Sequence, residues 1–384
     1  GIAYPCFCTP DELQQKKEIA HKNKDNFVYD GTCRNLSRDD IEQKKSHGVN
    51  YAIRLKVDSG ITKYSDGVHG DVSTMNDEIG DFIICRSDGT PVYQLAVVVD
   101  DHDMGVTDIV RGDDHISNTP KQILIYQALG WPVPEFSHLP LILGEDKKRL
   151  SKRHGASSVE EFKHQGIIAQ ALFNYLCLLG WSPGDDREIL SREDLLQLFS
   201  MELVGKSNDV FSPKKLLWIN QKHIALTSNQ EKLVIIIDLF SVQNQKKINE
   251  DTGRFLNLIE LLKPRAKTLY EFISGSEFYF SDPEVYEQKG ADKFFSNPDA
   301  KDRLKDLLKL LSDENNYRLE TLEEIIRGYA AEKDLGAGKI IHPLRLALTG
   351  KTTSPGIFEV IQVLGKETVQ RRINNGIDFI LRTN

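Results

Sequence analysis

The sequence predicts a multidomain chain that is α/β in its front part and all-α behind. Three observations point there. At 384 residues the chain is too long for one hydrophobic core. Strand-like segments separated by Gly- and Pro-containing turns crowd into roughly the first 150 residues. Beyond about residue 155 the apolar residues recur at helical spacing instead.

Taken in order, residues 1 to about 90 read as a compact α+β unit, with a polar helix over DELQQKKEIAHKNK and strands over YAIRLKV and DFIICRS. Ser87-Asp88-Gly89-Thr90-Pro91 marks a turn. VYQLAVVVDD, apolar on both faces, then predicts a strand buried in a covered parallel sheet, with Tyr93 near its start. GVTDIVRG predicts a second strand, ended by Arg111. Asn118 or Thr119 is placed to cap the following helix, Pro120 sits where its missing N–H costs nothing, and KQILIYQALGW supplies the apolar face. LPLILGEDK is strand-like and ends in a turn. The segments that follow are helical in pattern. The last of them, ETVQRRINNGIDFILR, sets Val369, Ile373, Ile377 and Ile380 on one stripe and leaves Arg371 and Arg372 outside it.

Composition narrows the function classes. With 40% hydrophobic and 28% charged residues the chain is an ordinary globular protein. No apolar run approaches bilayer length, and the mean hydropathy is -0.38, which argues against a membrane role. Five cysteines without scaffold spacing fit a reducing cytoplasm. The net charge of -8 disfavours indiscriminate nucleic-acid binding but allows local basic patches. From Lys339 to Asn384 seven Lys or Arg face three Asp or Glu, one such patch.

Two constellations carry chemistry. Residues 147–156 read KKRLSKRHGA, with five cations in the seven positions Lys147 to Arg153. Such a loop is either solvated surface or a polyphosphate clamp, in which lysines supply point charges and glycine permits close approach. Its position after a strand-like segment favours the clamp, because open α/β sheets bind ligands at strand ends. Arg111, ending a strand just before a helix, suits a carboxylate or phosphate; the alternative is an ion pair with Asp113 or Asp114.

VVDDHDMGVTDIVRGDDHISNTPKQ, LPLILGEDKKRLSKRHGA, the NYLCLLGWS segment and HPLRLALTGKTTSPGIFEVIQVLG together resemble the bacterial-type glutamyl-tRNA synthetases, in order and across nearly the whole chain. The resemblance implies part of a class I Rossmann-like catalytic domain with an α+β insertion, followed by helical stem-contact and anticodon-binding domains. The implied boundaries are 1–92 for the connective insertion, 93–146 for the second half of the catalytic domain and 147–228 for the signature loop and stem-contact domain. Two helical anticodon-binding subdomains, 229–295 and 296–384, complete the chain.

The implied activity joins L-glutamate to the 3′ end of tRNA(Glu), using ATP with Mg2+ and passing through glutamyl-adenylate. RLSKRHG falls where the family carries its KMSKS-type loop. Lys152 and Ser151 are then the catalytic pair, with Lys152 stabilising charge that develops as pyrophosphate leaves. Arg149, Lys152 and Arg153 would contact ATP, Arg149 standing where relatives often have Lys. Tyr93 and Arg111 match positions lining the glutamate pocket. Cys6, Cys8 and Cys33, with 24 residues between the last two, match a zinc site of some relatives. Asn35 stands where relatives have a histidine ligand, so Tyr29 or His21 is the candidate fourth ligand; the alternative is buried thiols without metal.

FSPKKLLWINQKHI resembles the family's segment at the tRNA stem, with Lys214, Lys215 and Lys222 as phosphate contacts, or as the solvated edge of a core helix around Leu217 and Trp218. Arg371 and Arg372 would face the anticodon arm. The helical rear half favours glutamyl over glutaminyl enzymes, whose anticodon domains are β-barrels. A competing reading is a non-catalytic tRNA-binding relative. The protein is expected to be cytoplasmic and to act as a monomer. The first class I signature, a HIGH-type motif, is absent from residues 1–384, and the resemblance places it upstream of Gly1. Residues 1–384 alone are therefore expected to bind tRNA in a salt-sensitive way and to form no glutamyl-adenylate.

Overall fold

The computed structural model describes residues 1–150, 158–315 and 317–383. Ser151, Lys152 and Arg153 of the signature loop lie outside the described residues. The chain forms two compact units, residues 1–154 with 177–211 and residues 155–176 with 212–384.

In the first unit, β1 (Ala3–Cys6), β2 (Ala52–Leu55) and β5 (Phe82–Cys85) form an antiparallel sheet. A second sheet has the order β4 (Gly70–Met75), β3 (Ile61–Asp66), β7 (Glu135–Leu139), β6 (Asp108–Gly112). Here β3 and β4 make an antiparallel hairpin, while β7 runs parallel to both β3 and β6. Strand β6, the helix Thr119–Leu129 and β7 constitute a βαβ unit, the α/β element expected from this stretch. Parallel β8 (Ile142–Leu143) and β9 (Asp209–Val210) form a third, small sheet.

One expected strand is a helix. Residues Tyr93–Asp103 are α-helical, not a buried strand. A short apolar run cannot distinguish the two by periodicity, and its β-branched Val97, Val98 and Val99 favoured the wrong one. Tertiary packing decides it: Leu95, Val97 and Val98 sit in a cluster with Ile125 and Tyr126 of the helix Thr119–Leu129. Gly105, at φ +68°, ends the helix, with the amides of Gly105 and Val106 bonding the carbonyls of His102 and Asp101.

From Ser212 on, the second unit is built of helices, and those from about residue 286 onward pack around Leu304, Leu307, Leu322, Ile326, Leu344, Val360 and Ile373. The helix Lys366–Thr383 buries Val369, Ile373, Ile377 and Ile380 as its spacing predicts. Arg372, however, is 1% exposed and not outside that stripe. It lies three residues after Val369 and four before buried Gly376, on the same face. Its charge is matched there: Nε donates to Asp282 Oδ1 at 2.8 Å, and Nη1 and Nη2 donate to the Leu348 and Ser281 carbonyls at 2.6 Å each. Arg371 binds the same carboxylate at 2.6 and 2.9 Å from a more exposed position. No helix among the described residues is long and apolar enough to cross a membrane.

Candidate functional site

The end of β6 carries Arg111, half-buried, whose hydrogen-bond partners are all neutral while the Asp101 carboxylate acts on its charge from beyond hydrogen-bond reach. Its Nη2 donates to Thr119 Oγ1 at 2.6 Å and to Gln122 Oε1 at 2.8 Å, and its Nε donates to His138 Nε2 at 3.2 Å. Asp113 and Asp114 are not its partners; Asp114 instead accepts from Arg149 at 2.7 Å. The ion-pair alternative for Arg111 is thereby overturned. Among the described residues Arg111 forms no salt bridge, and Nη1 keeps its donors. Burial pushes Arg111 below its usual range, yet a guanidinium stays charged at neutral pH.

Two helix-capping residues are diverted to this network. Neither Asn118 nor Thr119 caps the helix with its side chain. The 3-10 turn Asp113–His115 leads into the helix, so Asn118 is already in the right-handed helical conformation. Thr119 Oγ1 serves Arg111 and His138, while Asn118 Oδ1 accepts from Gln94 Nε2 at 2.8 Å. Gln94 in turn accepts from Gln122 Nε2 at 2.9 Å. Tyr93, 52% exposed in the first turn of its helix, has its hydroxyl 3.5 Å from His115 Nδ1, and Asn118 Nδ2 is 3.3 Å from the same nitrogen. A chain of side-chain hydrogen bonds thus joins Tyr93 to Arg111, the two residues expected to share a ligand pocket.

Asp66, His138 and Gln122 were not singled out from the sequence, and Thr119 was read only as a helix cap. Thr119 and Gln122 are three apart on one helix face, the usable signal. His138 was a lone histidine in an apolar strand. Placement of β7 between β3 and β6 leaves it 0% exposed, and its Nδ1 lies 2.5 Å from Asp66 Oδ2.

At the start of the basic loop, Leu150 N–H bonds back to the Ile142 carbonyl and Lys147 takes φ +60°, so the segment turns back against β8. Arg149 is well exposed apart from its contact with Asp114.

The cysteines converge. One sulfur each from Cys6, Cys8 and Cys33 lie within 4.8 Å of one another, and Cys8 and Cys33 are 3.7 Å apart. The Tyr29 hydroxyl is 3.4 Å from both Cys6 and Cys8 and accepts from the Cys33 amide at 3.0 Å. His21 is exposed in the last turn of the helix Pro10–Lys22 and Asn35 is exposed as well. Burial opposes a thiolate at Cys6, but hydrogen bonds from Tyr29 and Arg54 outweigh it and hold that thiol below its usual range. Burial pushes Cys8 up to about 11. The Cys8–Cys33 spacing is close to the separation of about 3.8 Å between sulfurs on tetrahedral zinc, but with three thiols and a tyrosine hydroxyl the set is only weakly compatible with that metal.

Of the lysines on the helix Pro213–Leu226, Lys214 and Lys222 are exposed and Lys215 is half-buried. The core face is Leu216, Ile219, His223 and Ile224, not Leu217 and Trp218. Trp218 is 40% exposed, with Lys222 Nζ 5.8 Å from its ring centroid.

Comparison with known proteins gives a consistent picture. Residues 1–218 match the family model described as tRNA synthetases class I (E and Q), catalytic domain, and residues 230–377 match an anticodon binding domain. The glutamate–tRNA ligase 1 of Syntrophomonas wolfei is 41% identical over 384 residues, covering 100% of this chain and 77% of that protein. The glutamate–tRNA ligase of Citrifermentans bemidjiense is 43% identical over 380 residues, covering 98% and 79%. The crystal structure of a glutamate tRNA ligase from Elizabethkingia meningosepticum, in complex with its amino acid, superimposes with a TM-score of 0.85 at 29% identity, covering 99% of this chain and 80% of that one.

Proposed function

This chain belongs to the class I tRNA synthetases (E and Q), and from that premise we propose that it acts as a glutamate–tRNA ligase. The observation that carries the reading is Arg111. A half-buried cation whose hydrogen-bond partners Thr119, Gln122 and His138 are all neutral, and whose Nη1 is still able to donate, is built for an anionic ligand. Relatives named for glutamate support a carboxylate in that role.

In this reading Arg111 and Tyr93 hold glutamate. Its α-carboxylate attacks the α-phosphate of Mg2+-bound ATP, pyrophosphate leaves, and a ribose hydroxyl at the 3′ end of tRNA(Glu) then displaces AMP. Lys152, with Ser151, would stabilise charge on the departing phosphates, and Arg149 and Arg153 would add to the field there. Cys6, Cys8 and Cys33, with the Tyr29 hydroxyl as fourth group, would hold zinc as a closed structural site. Lys214, Lys215, Lys222 and Arg371 remain the candidate contacts to tRNA phosphates, with 229–295 and 296–384 as halves of the anticodon-binding region. Arg372, buried and bonded to Asp282 and to the Leu348 and Ser281 carbonyls, is left out of that set.

The test is charging of tRNA by the full-length protein with radiolabelled glutamate or glutamine. Glutamyl-tRNA(Glu) formation at a rate at least about a hundredfold above that with glutamine is expected. Formation of glutaminyl-tRNA alone, or of neither product, would overturn the assignment.

A further inference from the structure

Asp66 and His138 form a buried pair that touches no solvent and, in the reading above, no substrate. Asp66 ends β3 and accepts hydrogen bonds on Oδ1 from the amides of Val68 and His69 at 2.9 Å each and of His138 at 3.2 Å. Its other oxygen lies 2.5 Å from His138 Nδ1. Both side chains are 0% exposed. On the far side of the ring, His138 Nε2 receives Arg111 Nε at 3.2 Å and meets Thr119 Oγ1 at 3.0 Å.

Arginine Nε can only donate, so Nε2 must accept, which leaves the proton of a neutral imidazole on Nδ1, facing Asp66. Both ionisation states agree with this. Burial opposes charge on Asp66, but the His69, Val68 and His138 bonds hold the carboxyl below its usual range. Burial keeps His138 below its usual range despite the neighbouring carboxylate. With Nε held by His138 and Nη2 by Thr119 and Gln122, the guanidinium can rotate only by breaking these bonds.

We propose that the Asp66–His138 pair is a positioning device that, by fixing the imidazole tautomer, locks Arg111 with Nη1 toward the glutamate carboxylate. This rests on the reading of Arg111 as the glutamate-binding arginine. Asp66→Asn is nearly isosteric and retains an acceptor for the three amides, yet its amide nitrogen donates toward His138. The imidazole then carries its proton on Nε2, where it opposes Arg111 Nε–H. His138→Gln retains an acceptor near the Nε2 position, and His138→Leu removes it.

The experiment measures KM for glutamate and for ATP in the full-length protein and its variants, together with 15N shifts of selectively labelled histidine. The unmodified protein should show His138 protonated on Nδ1. Asp66→Asn should move the proton to Nε2 and raise the glutamate KM about tenfold or more, with the ATP KM within about twofold. His138→Leu should do the same to KM, and His138→Gln should recover most of the loss. Arg111→Lys separates the two layers of the argument. If it leaves the glutamate KM unchanged, the reading of Arg111 falls and this inference with it. If it raises that KM while Asp66→Asn does not, the positioning role alone is overturned. An Nε2-bound proton in the unmodified protein overturns it whether or not any variant folds.

Discussion

Arg111 and Arg372 are both withdrawn from water, and their partners set them apart. Arg372 meets a carboxylate and two carbonyls, which balance its charge inside the fold. Arg111 makes hydrogen bonds only to neutral acceptors and feels the Asp101 carboxylate without pairing to it, which leaves it open to an anionic ligand. Asp282, which serves Arg371 and Arg372 together, is held down at about 2, by the Arg371 hydrogen bond first. The folded value lies below the unfolded one of about 3.9, so its contribution is present above about pH 4 and lost as pH falls toward 2. Asp282→Asn leaves a buried guanidinium without counter-charge and should cost about 3 kcal/mol at neutral pH. Guanidinium unfolding should show that gap narrowing at pH 3. If Lys152 acts as proposed, only on developing phosphate charge, Lys152→Ala in the full-length protein should slow ATP–pyrophosphate exchange about a hundredfold and leave tRNA affinity intact. A change below about threefold would remove Lys152 from the mechanism.

The elements most informative about function are those whose local signals were redirected by packing. The helix Thr119–Leu129 starts without a side-chain cap because its capping residues serve Arg111 and Gln94. The last helix, Lys366–Thr383, approaches its neighbour so closely at Gly376 that an added Cβ would meet the Ala347 Cβ at 2.9 Å. Gly376→Val should therefore destabilise the protein by about 3 kcal/mol, since overpacking and poor helix propensity act together there. An unfolding midpoint unchanged by the substitution would mean that the two helices separate freely. Around β1, the thiol cluster gives a second test. The protein as isolated should contain about one zinc by atomic absorption, and Cys33→Ser should lose the metal and melt several degrees lower. Full metal content in Cys33→Ser would exclude that thiol as a ligand.

Across the whole molecule, an acidic chain must bind a polyanion through local basic surfaces. Lys214 and Lys222 project from one helix on its exposed side. Replacing both by alanine should lower the slope of log affinity for tRNA against log salt by about 1.5, in filter binding across a salt series. An unchanged slope would remove this helix from the interface. The helical rear half, the strand-then-helix run at β6 and Thr119–Leu129, and the stripe of Val369, Ile373, Ile377 and Ile380 were legible from the chain alone, and the family resemblance put Tyr93, Arg111 and the three cysteines forward as candidates. Each depends on local spacing or on a motif that neighbouring residues spell out. Tertiary structure alone decided that Tyr93–Asp103 is helical, that Arg372 is buried, and that Arg111 avoids the aspartates next to it in sequence. It also brought Asp66 and His138, 72 residues apart, into contact behind that arginine. The reason is physical: a β-branched apolar run fits either a strand or a helix until a neighbouring surface selects one. Likewise a charged side chain takes the partner that strand pairing and helix packing bring within hydrogen-bond reach, which sequence proximity does not specify.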